Sequence, residues 1–247
     1  MTAVRKRKRS RRKKWKRIKR RILAWTVRIL VLTVIAAVPV LAVRGSFALW
    51  NSLLGGQEAI FFGAKTIEET QRDPGALLIV LDAGHGGKDQ GTCAGDILEK
   101  DINLSVVKKL AQKLEKRGAA VILTRDEDVK IDLEDRAKLA NKEKADIFVS
   151  IHCNYYEKDA GIRGLECYYR EGSADGEELA ERILEEFRKE AVENRGTKTA
   201  NYRVLRKTDM PAVLVELGYM SNSEECRKLG EEDYQDFLAE KIAAGIF

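Results

Sequence analysis

Histidine is the scarcest chemically useful residue in this chain. It contains only two, His85 and His152, and each follows a predicted buried strand. Glu216 follows the apolar run 212–215 in the same way. Zinc in hydrolytic sites favours neutral imidazoles and a carboxylate, with one position left for water. Because open α/β sheets bind ligands beyond the carboxyl ends of their strands, we expect these side chains to converge at one sheet edge.

A histidine pair needs a carboxylate partner, and the segment before the first predicted helix offers three. Glu99 can fold back over the sheet edge from its place in Leu98-Glu99-Lys100-Asp101. An acidic residue at a helix start is also favoured by the helix dipole, without any metal. Asp96 and Asp101 compete with Glu99 on composition alone. The residues by themselves therefore leave the third ligand open.

Glu216 stands out because it follows four apolar residues, Ala-Val-Leu-Val. A bare charge at the end of a buried strand is costly unless something compensates it. A nearby cation or a proton-transfer role would do so. The structural alternative is a salt bridge with Arg206 or Arg125. For each histidine alone, a purely structural role is likewise the commoner outcome, and it is their shared placement that favours a metal site.

Predicted strands and helices alternate from residue 76 onward, and these elements must position the candidate site residues. Predicted strands cover 76–81, 119–124, 146–151, 164–169, 202–205 and 212–215. Predicted helices run from an N-cap at Asp101 to Gly118, then over 133–144, 179–191 and 234–246. Such alternation is typical of α/β folds. We therefore predict a three-layer α/β sandwich with a mostly parallel central sheet and helices on both faces.

The N-terminal region predicts a membrane anchor. Residues 1–44 hold 16 of the 45 Lys and Arg and no Asp or Glu. The basic arm, 1–21, precedes an apolar run from Ile22 to Val43 that only Arg28 interrupts. By the positive-inside rule the arm stays in the cytoplasm. We predict one transmembrane signal-anchor helix at 22–44, a linker at 45–75 and an extracytoplasmic domain at 76–247, secreted if the segment is instead a cleaved signal peptide.

Charge and cysteine content narrow the class of the domain. From residue 45 onward, 39 acidic residues face 29 basic ones. The domain is therefore acidic, and no nucleic-acid partner is expected. The four cysteines form no CxxC pair, so a cysteine-rich structural zinc site is disfavoured and mostly free thiols are expected.

Several motifs occur together and in order through the domain. They are LDAGHGGKD (81–89), LEKDINL (98–104), LTRD (123–126), LEDR (133–136), SIHCN (150–154) and MPAVLVELGYMSN (210–222). On these motifs, residues 76–247 resemble the zinc-dependent N-acetylmuramoyl-L-alanine amidases of the amidase type 3 class. Ala83 and Cys153 depart from the residues common in that family, Pro and Ala, but neither is a ligand.

The resemblance implies one Zn²⁺ per chain, held by His85, Glu99 and His152, with Glu216 as the catalytic carboxylate. It thereby selects Glu99 over Asp96 and Asp101. It implies hydrolysis of the amide bond between the lactyl group of N-acetylmuramic acid and L-alanine of the peptidoglycan stem, by zinc-activated water with Glu216 as general base. A zinc peptidoglycan peptidase and a catalytically silent wall-binding protein are the alternatives.

The expected partners are peptidoglycan as substrate and the membrane through the N-terminal helix, with the protein a monomer. Some relatives carry an extra helix that plugs the site. Only 63 residues separate His152 from Glu216, and predicted elements fill most of that length. An open site is therefore expected.

Overall fold

A computed structural model of the chain describes residues 75–247. Two short strands, β2 (Cys93–Ala94) and β3 (Ile97–Leu98), form a separate antiparallel pair. The other strands are β1 (Leu78–Ala83), β4 (Ala120–Leu123), β5 (Ile147–Asn154), β6 (Leu165–Tyr169), β7 (Asn194–Thr199) and β8 (Ala212–Tyr219). The helices are α1 (Glu99–Lys116), α2 (Leu133–Lys142), α3 (Ala174–Arg188), α4 (Arg203–Lys207), α5 (Ser223–Leu229) and α6 (Glu232–Ile246).

The central sheet has six strands in the order β4-β1-β5-β8-β6-β7. All neighbouring pairs are parallel except β8 and β6, which are antiparallel. Strands β1, β5 and β8 are nearly continuous apolar runs, as expected for parallel strands covered on both faces. The predicted mostly parallel α/β sandwich is confirmed.

Alternate residues of each strand feed two separate cores. Leu81, Ile151 and Val215 face the larger core, which contains apolar residues of α1, α3 and α6. Val80, Phe148 and Leu214 face a smaller core completed by residues of α2 and α4. Each such fully buried side chain contributes about 1.5–3 kcal/mol of transfer free energy. The second face is covered by the two shorter helices, α2 and α4.

Several predicted boundaries are wrong. Strands β5 and β8 continue to Asn154 and Tyr219, so His152 and Glu216 lie inside strands and do not end them. The segment predicted as a strand at 202–205 contributes instead to the short helix α4. Helix α1 begins at Glu99 after the cap residue Leu98, and Asp101 is not the N-cap. Strand β7 was not predicted, because its sequence, NRGTKT, contains no apolar residue.

The predicted basic arm (1–21), transmembrane helix (22–44) and most of the linker (45–75) lie outside the described residues. Within residues 75–247, none of the helices combines the length and the apolar character that a bilayer crossing needs. All four cysteines are free thiols, as predicted, and only Cys93 is exposed.

Candidate metal centre and active site

His85 lies in a tight loop directly after β1, and its backbone has φ 60°, unusual for a residue other than glycine. Two buried arginines hold this loop through its carbonyl oxygens. Arg125 donates to Ala83 O and Gly84 O, both at 2.9 Å. Arg136 donates to Ala83 O at 2.6 Å and to His85 O at 2.8 Å. The strained conformation is thus fixed by several charge-assisted hydrogen bonds.

Arg136 is itself fixed by the buried carboxylate of Asp82, at 2.6 Å. That carboxylate also accepts from the hydroxyls of Thr124 and Ser150, at 2.7 and 2.6 Å. Burial alone would raise the pKa of Asp82, but Arg136 and the two hydroxyls together lower it. The end of β1 therefore carries a buried ion pair, beneath the His85 loop, whose carboxylate oxygens both have hydrogen-bond donors.

His152 projects from β5 toward the His85 loop. The two imidazole rings lie edge to face with their centroids 5.0 Å apart. Gly84 leaves the space for this approach, since a Cβ at residue 84 would lie 2.3 Å from ring atoms of His152. The glycine is therefore required by close packing on the ring.

Glu99 begins α1 and is buried, with 2% of its surface exposed. Its Oε1 lies 3.2 Å from His85 Nε2 and 3.0 Å from His152 Nδ1, and it accepts from the backbone N of Cys153 at 3.1 Å. Burial would raise the pKa of Glu99, but hydrogen bonds from His152 and His85 hold it well below its usual range. Asp96 and Asp101, the competing acids, are both exposed.

One ligand atom from each of His85, Glu99 and His152 lies within 4.8 Å of the other two, a spacing that a single metal ion can bridge. The donors are two imidazole nitrogens and one carboxylate oxygen, which is the set found in hydrolytic zinc sites. The three residues come from the β1 loop, the start of α1 and the middle of β5. The arrangement can hold a metal ion.

Asp89 orients the first of these histidines. Its Oδ1 lies 2.9 Å from His85 Nδ1 and accepts from the backbone N of Gly91 at 3.3 Å. Histidine ligands generally use the second ring nitrogen for such a contact, which sets the tautomer and ring orientation. Nδ1 is thereby engaged, and Nε2 is the nitrogen directed at Glu99.

Glu216 is the direct register neighbour of His152 on the adjacent strand. It is 8% exposed, and its Oε2 is a buried atom without a hydrogen-bond partner among residues 75–247. Burial raises the pKa of Glu216 to about 7, and the nearby Glu99 and Glu166 carboxylates add to this effect. The proposed structural salt bridges are absent, because Arg125 binds carbonyl oxygens and Arg206 contacts Asn201 Oδ1 at 3.2 Å.

The sequence did not single out Glu166, which is fully buried on β6 and is the register neighbour of Glu216 on its other side. Asn154, the last residue of the SIHCN motif, donates to Glu166 Oε2 at 3.2 Å. The available signal was a charged residue within the otherwise mostly apolar segment LECYY. Its neighbours depend on antiparallel pairing with β8, which the local pattern does not reveal.

Comparison with known proteins places this chain in a family. The family model described as N-acetylmuramoyl-L-alanine amidase matches residues 79–247. The endolysin of Bacillus phage SPP1 is 44% identical over 177 residues, which are 68% of this chain and 64% of the endolysin. The chain therefore spans less than two thirds of that relative.

Solved structures agree in fold and cover the domain more completely. The N-acetylmuramoyl-L-alanine amidase AmiC2 of Nostoc punctiforme is 42% identical, with a TM-score of 0.66 over 69% of this chain and 94% of that one. The CwlD amidase from Clostridioides difficile, solved in complex with the GerS lipoprotein, is 34% identical, with a TM-score of 0.66 over 69% and 96%. The chain belongs to the N-acetylmuramoyl-L-alanine amidase family, as its motifs predicted.

Proposed function

We propose that residues 75–247 form a zinc-dependent amidase that hydrolyses the bond between the lactyl carbonyl of N-acetylmuramic acid and the nitrogen of the stem L-alanine. One observation carries the proposal beyond family membership. The buried, unpaired Oε2 of Glu216 lies on the sheet face next to His152, which belongs to a three-residue set able to hold a metal. An orphaned buried carboxylate oxygen needs a functional explanation, and a proton-transfer role beside a hydrolytic metal supplies one.

His85, Glu99 and His152 would hold the zinc ion. Their donor types fit zinc, and three protein ligands leave a further position open to solvent. When bound, zinc supplies a Lewis acid that makes water acidic enough to act as a nucleophile near neutral pH. Asp89 keeps the His85 ring in its tautomer, and Arg136 keeps the loop that carries it in place.

Glu216 would act as the general base and then as the general acid. Burial raises the pKa of Glu216 in the metal-free protein, so its carboxyl group can hold a proton as well as accept one. It takes a proton from the attacking water and delivers it to the departing L-alanine nitrogen. The amide bond breaks and a new amino terminus is released, while the lactyl carboxylate stays on the sugar.

The test is digestion of purified peptidoglycan by the zinc-loaded protein, with identification of the new termini. The proposal predicts new L-alanine amino termini and intact glycan strands. New termini within the peptide stem would instead assign the same metal site to a peptidase. Zinc binding without any cleavage would favour a wall-binding role.

The N-terminal region is proposed to act as an uncleaved anchor that keeps this domain on the extracytoplasmic face. The support is the basic arm at 1–21 followed by the apolar run from Ile22 to Val43. Reporter fusions after residue 44 and after residue 247 should both read out as extracytoplasmic. A cytoplasmic signal at either position would contradict the topology.

The domain is further proposed to work as a monomer with an open site. Between His152 and Glu216, the long helix α3 packs on the larger core, on the sheet face opposite the two residues. The CwlD amidase is a relative solved with a lipoprotein partner. Activity of the purified protein alone would support an open site, and activity that depends on an added partner would contradict it.

A further inference from the structure

The carboxylate of Glu166 is a buried group that the proposed mechanism does not use. It is fully buried on β6 and pairs in register with Glu216 on β8. Residues in register on neighbouring strands project from the same face of a sheet. His152, Glu216 and Glu166 therefore form a row across β5, β8 and β6 on the sheet face that α2 and α4 cover.

This carboxylate is saturated with hydrogen-bond donors. An ionised carboxylate offers about four lone-pair sites. Burial would raise the pKa of Glu166, but these donors lower it, so the group is ionised at neutral pH. Oε1 accepts from Arg195 Nε at 2.9 Å, Lys198 Nζ at 2.5 Å and Tyr219 OH at 2.8 Å, and Oε2 accepts from Tyr168 OH at 2.5 Å and Asn154 Nδ2 at 3.2 Å.

Two cations on one carboxylate leave an excess of positive charge. One of them would suffice to neutralise Glu166, so a structural role explains only half of the arrangement. The side chains remain accessible, at 42% for Arg195 and 39% for Lys198. The contacts to Glu166 use Nε of the arginine and one of the three donors on the lysine. Arg195 also contacts Tyr219, and Lys198 lies over the ring of Tyr168. The exposed part of each cationic group still faces solvent, where a ligand can reach it.

A local irregularity in β7 directs both cations to the same place. In a regular strand, the side chain of Arg195 would lie on the same sheet face as that of Thr197, two residues later. The hydroxyl of Thr197 donates to Glu181 on α3, so that face is the one opposite Glu166. The register of β6 and β7 shifts between Leu165 and Cys167, and Gly196 has φ 80°. Bulges of this kind re-aim side chains and are common beside active sites. As a result, the side chains of Arg195 and Lys198 both lie on the face of Glu166 and both donate to its carboxylate.

We propose that Arg195 and Lys198, held on the buried carboxylate of Glu166, bind a carboxylate of the peptide stem beside Glu216. This rests on the proposed amidase function and names the substrate group that the site recognises. Arginine and lysine donors form charge-assisted hydrogen bonds with carboxylates, which are stronger than neutral ones. The two residues act in specificity and do not touch the reacting bond.

The spacing selects which carboxylate is bound. Neighbouring strands lie about 4.8 Å apart, so the cations on Glu166 are within roughly 5–10 Å of Glu216. A peptide spans at most about 3.5 Å per residue, and two residues span about 7 Å. We assign the carboxylate to the second stem residue, immediately after the L-alanine released by cleavage, because two residues are the shortest length of peptide that falls within this range.

The experiment uses the full-length, zinc-loaded chain and two soluble muropeptides that differ only at the carboxyl group of the second stem residue that is not part of the peptide chain, free in one and amidated in the other. The wild type should cleave the acid with roughly tenfold higher kcat/KM, as expected for a charged hydrogen bond. Arg195→Gln and Lys198→Gln should each reduce that preference to about twofold, mainly through KM on the acid. Because the readout is a ratio for one preparation, partial misfolding of a variant cancels.

The matched control is the double variant Lys108→Ala/Lys116→Ala, which removes two cations from α1, well away from β7; the preference should persist there. Equal kcat/KM on the two muropeptides in the wild type would overturn the proposal, as would a preference that both glutamine variants retain. Failure of the wild type to cleave either muropeptide would contradict the proposed amidase function itself.

Discussion

His152 and Glu216 are direct register neighbours on the parallel strands β5 and β8, and both side chains leave the same face of the sheet. Backbone pairing of the two strands thus sets the distance between a candidate metal ligand and the candidate general base. Each lies within a strand buried on both sides, so neither can drift away from the other. The relative position of metal and base is therefore built into the sheet.

The first prediction concerns the metal. His85→Ala and His152→Ala should each abolish stoichiometric zinc binding as well as activity, since each removes one of three protein ligands. Metal content per chain after dialysis, measured by mass spectrometry, checks this. Full zinc occupancy in either variant would remove that histidine from the ligand set.

The second prediction concerns the orientation of His85. Asp89→Ala should weaken zinc binding about 10- to 100-fold, the usual effect of losing a contact behind a histidine ligand. Asp89→Asn keeps an acceptor oxygen and should restore part of the affinity. Competition with a zinc chelator gives the values, and the exposed Asp126→Asn is the matched control. Unchanged affinity in Asp89→Ala would show that the contact plays no part in binding.

The third prediction concerns pH. Without metal, the pKa of Glu216 in the folded protein rises from its ordinary 4.5 to about 7. Between these values the folded state holds a proton that the unfolded chain has lost, so the free energy of unfolding falls as pH rises through this window. Glu216→Gln removes this effect.

Metal-free Glu216→Gln should therefore gain stability relative to metal-free wild type as the pH is raised. The difference should be smallest at pH 4 and should grow by up to about 3 kcal/mol by pH 8, since each unit of pKa corresponds to about 1.4 kcal/mol. Denaturant unfolding at several pH values measures it, with Glu178→Gln as the matched exposed control. A constant difference across the range would contradict the assignment.

The fourth prediction concerns the ion pair beneath the His85 loop. Arg136→Ala leaves the carboxylate of Asp82 buried without its cation, and should lower the free energy of unfolding by roughly 3–5 kcal/mol. Arg203→Ala breaks an exposed pair with Glu134 and should change the free energy of unfolding very little, because solvent screens surface ion pairs. Similar losses in both variants would mean that the buried pair does not stabilise the loop.

Sequence periodicity predicted the alternation of strands and helices but not the ends of the strands. Glu216 interrupts an apolar run and so suggested a strand end, yet Leu217 and Tyr219 continue the buried strand beyond it. A functional polar residue inside a buried strand interrupts the apolar pattern and so resembles the end of the strand in the sequence. The convergence of His85 and His152 was still expected, because both lie toward the carboxyl ends of parallel neighbours.

Sequence periodicity could not identify Glu99 as the third ligand or the contacts of Glu166, and the physical reason differs for the two. Choosing Glu99 over Asp101 needs the true start of α1, and only the family resemblance made that choice before the structure. Glu166 acquires its neighbours from an antiparallel pairing of β6 with β8 and from the apolar-free strand β7. Long-range pairing of this kind has no local signature.

The most direct test of the central claim is a paired measurement on Glu216→Gln, of bound zinc and of turnover on peptidoglycan. The account predicts one zinc per chain, as in the wild type, with turnover lower by about 10²–10⁴, the usual effect of removing a general base. Turnover close to the wild-type value with zinc retained would contradict the role assigned to Glu216.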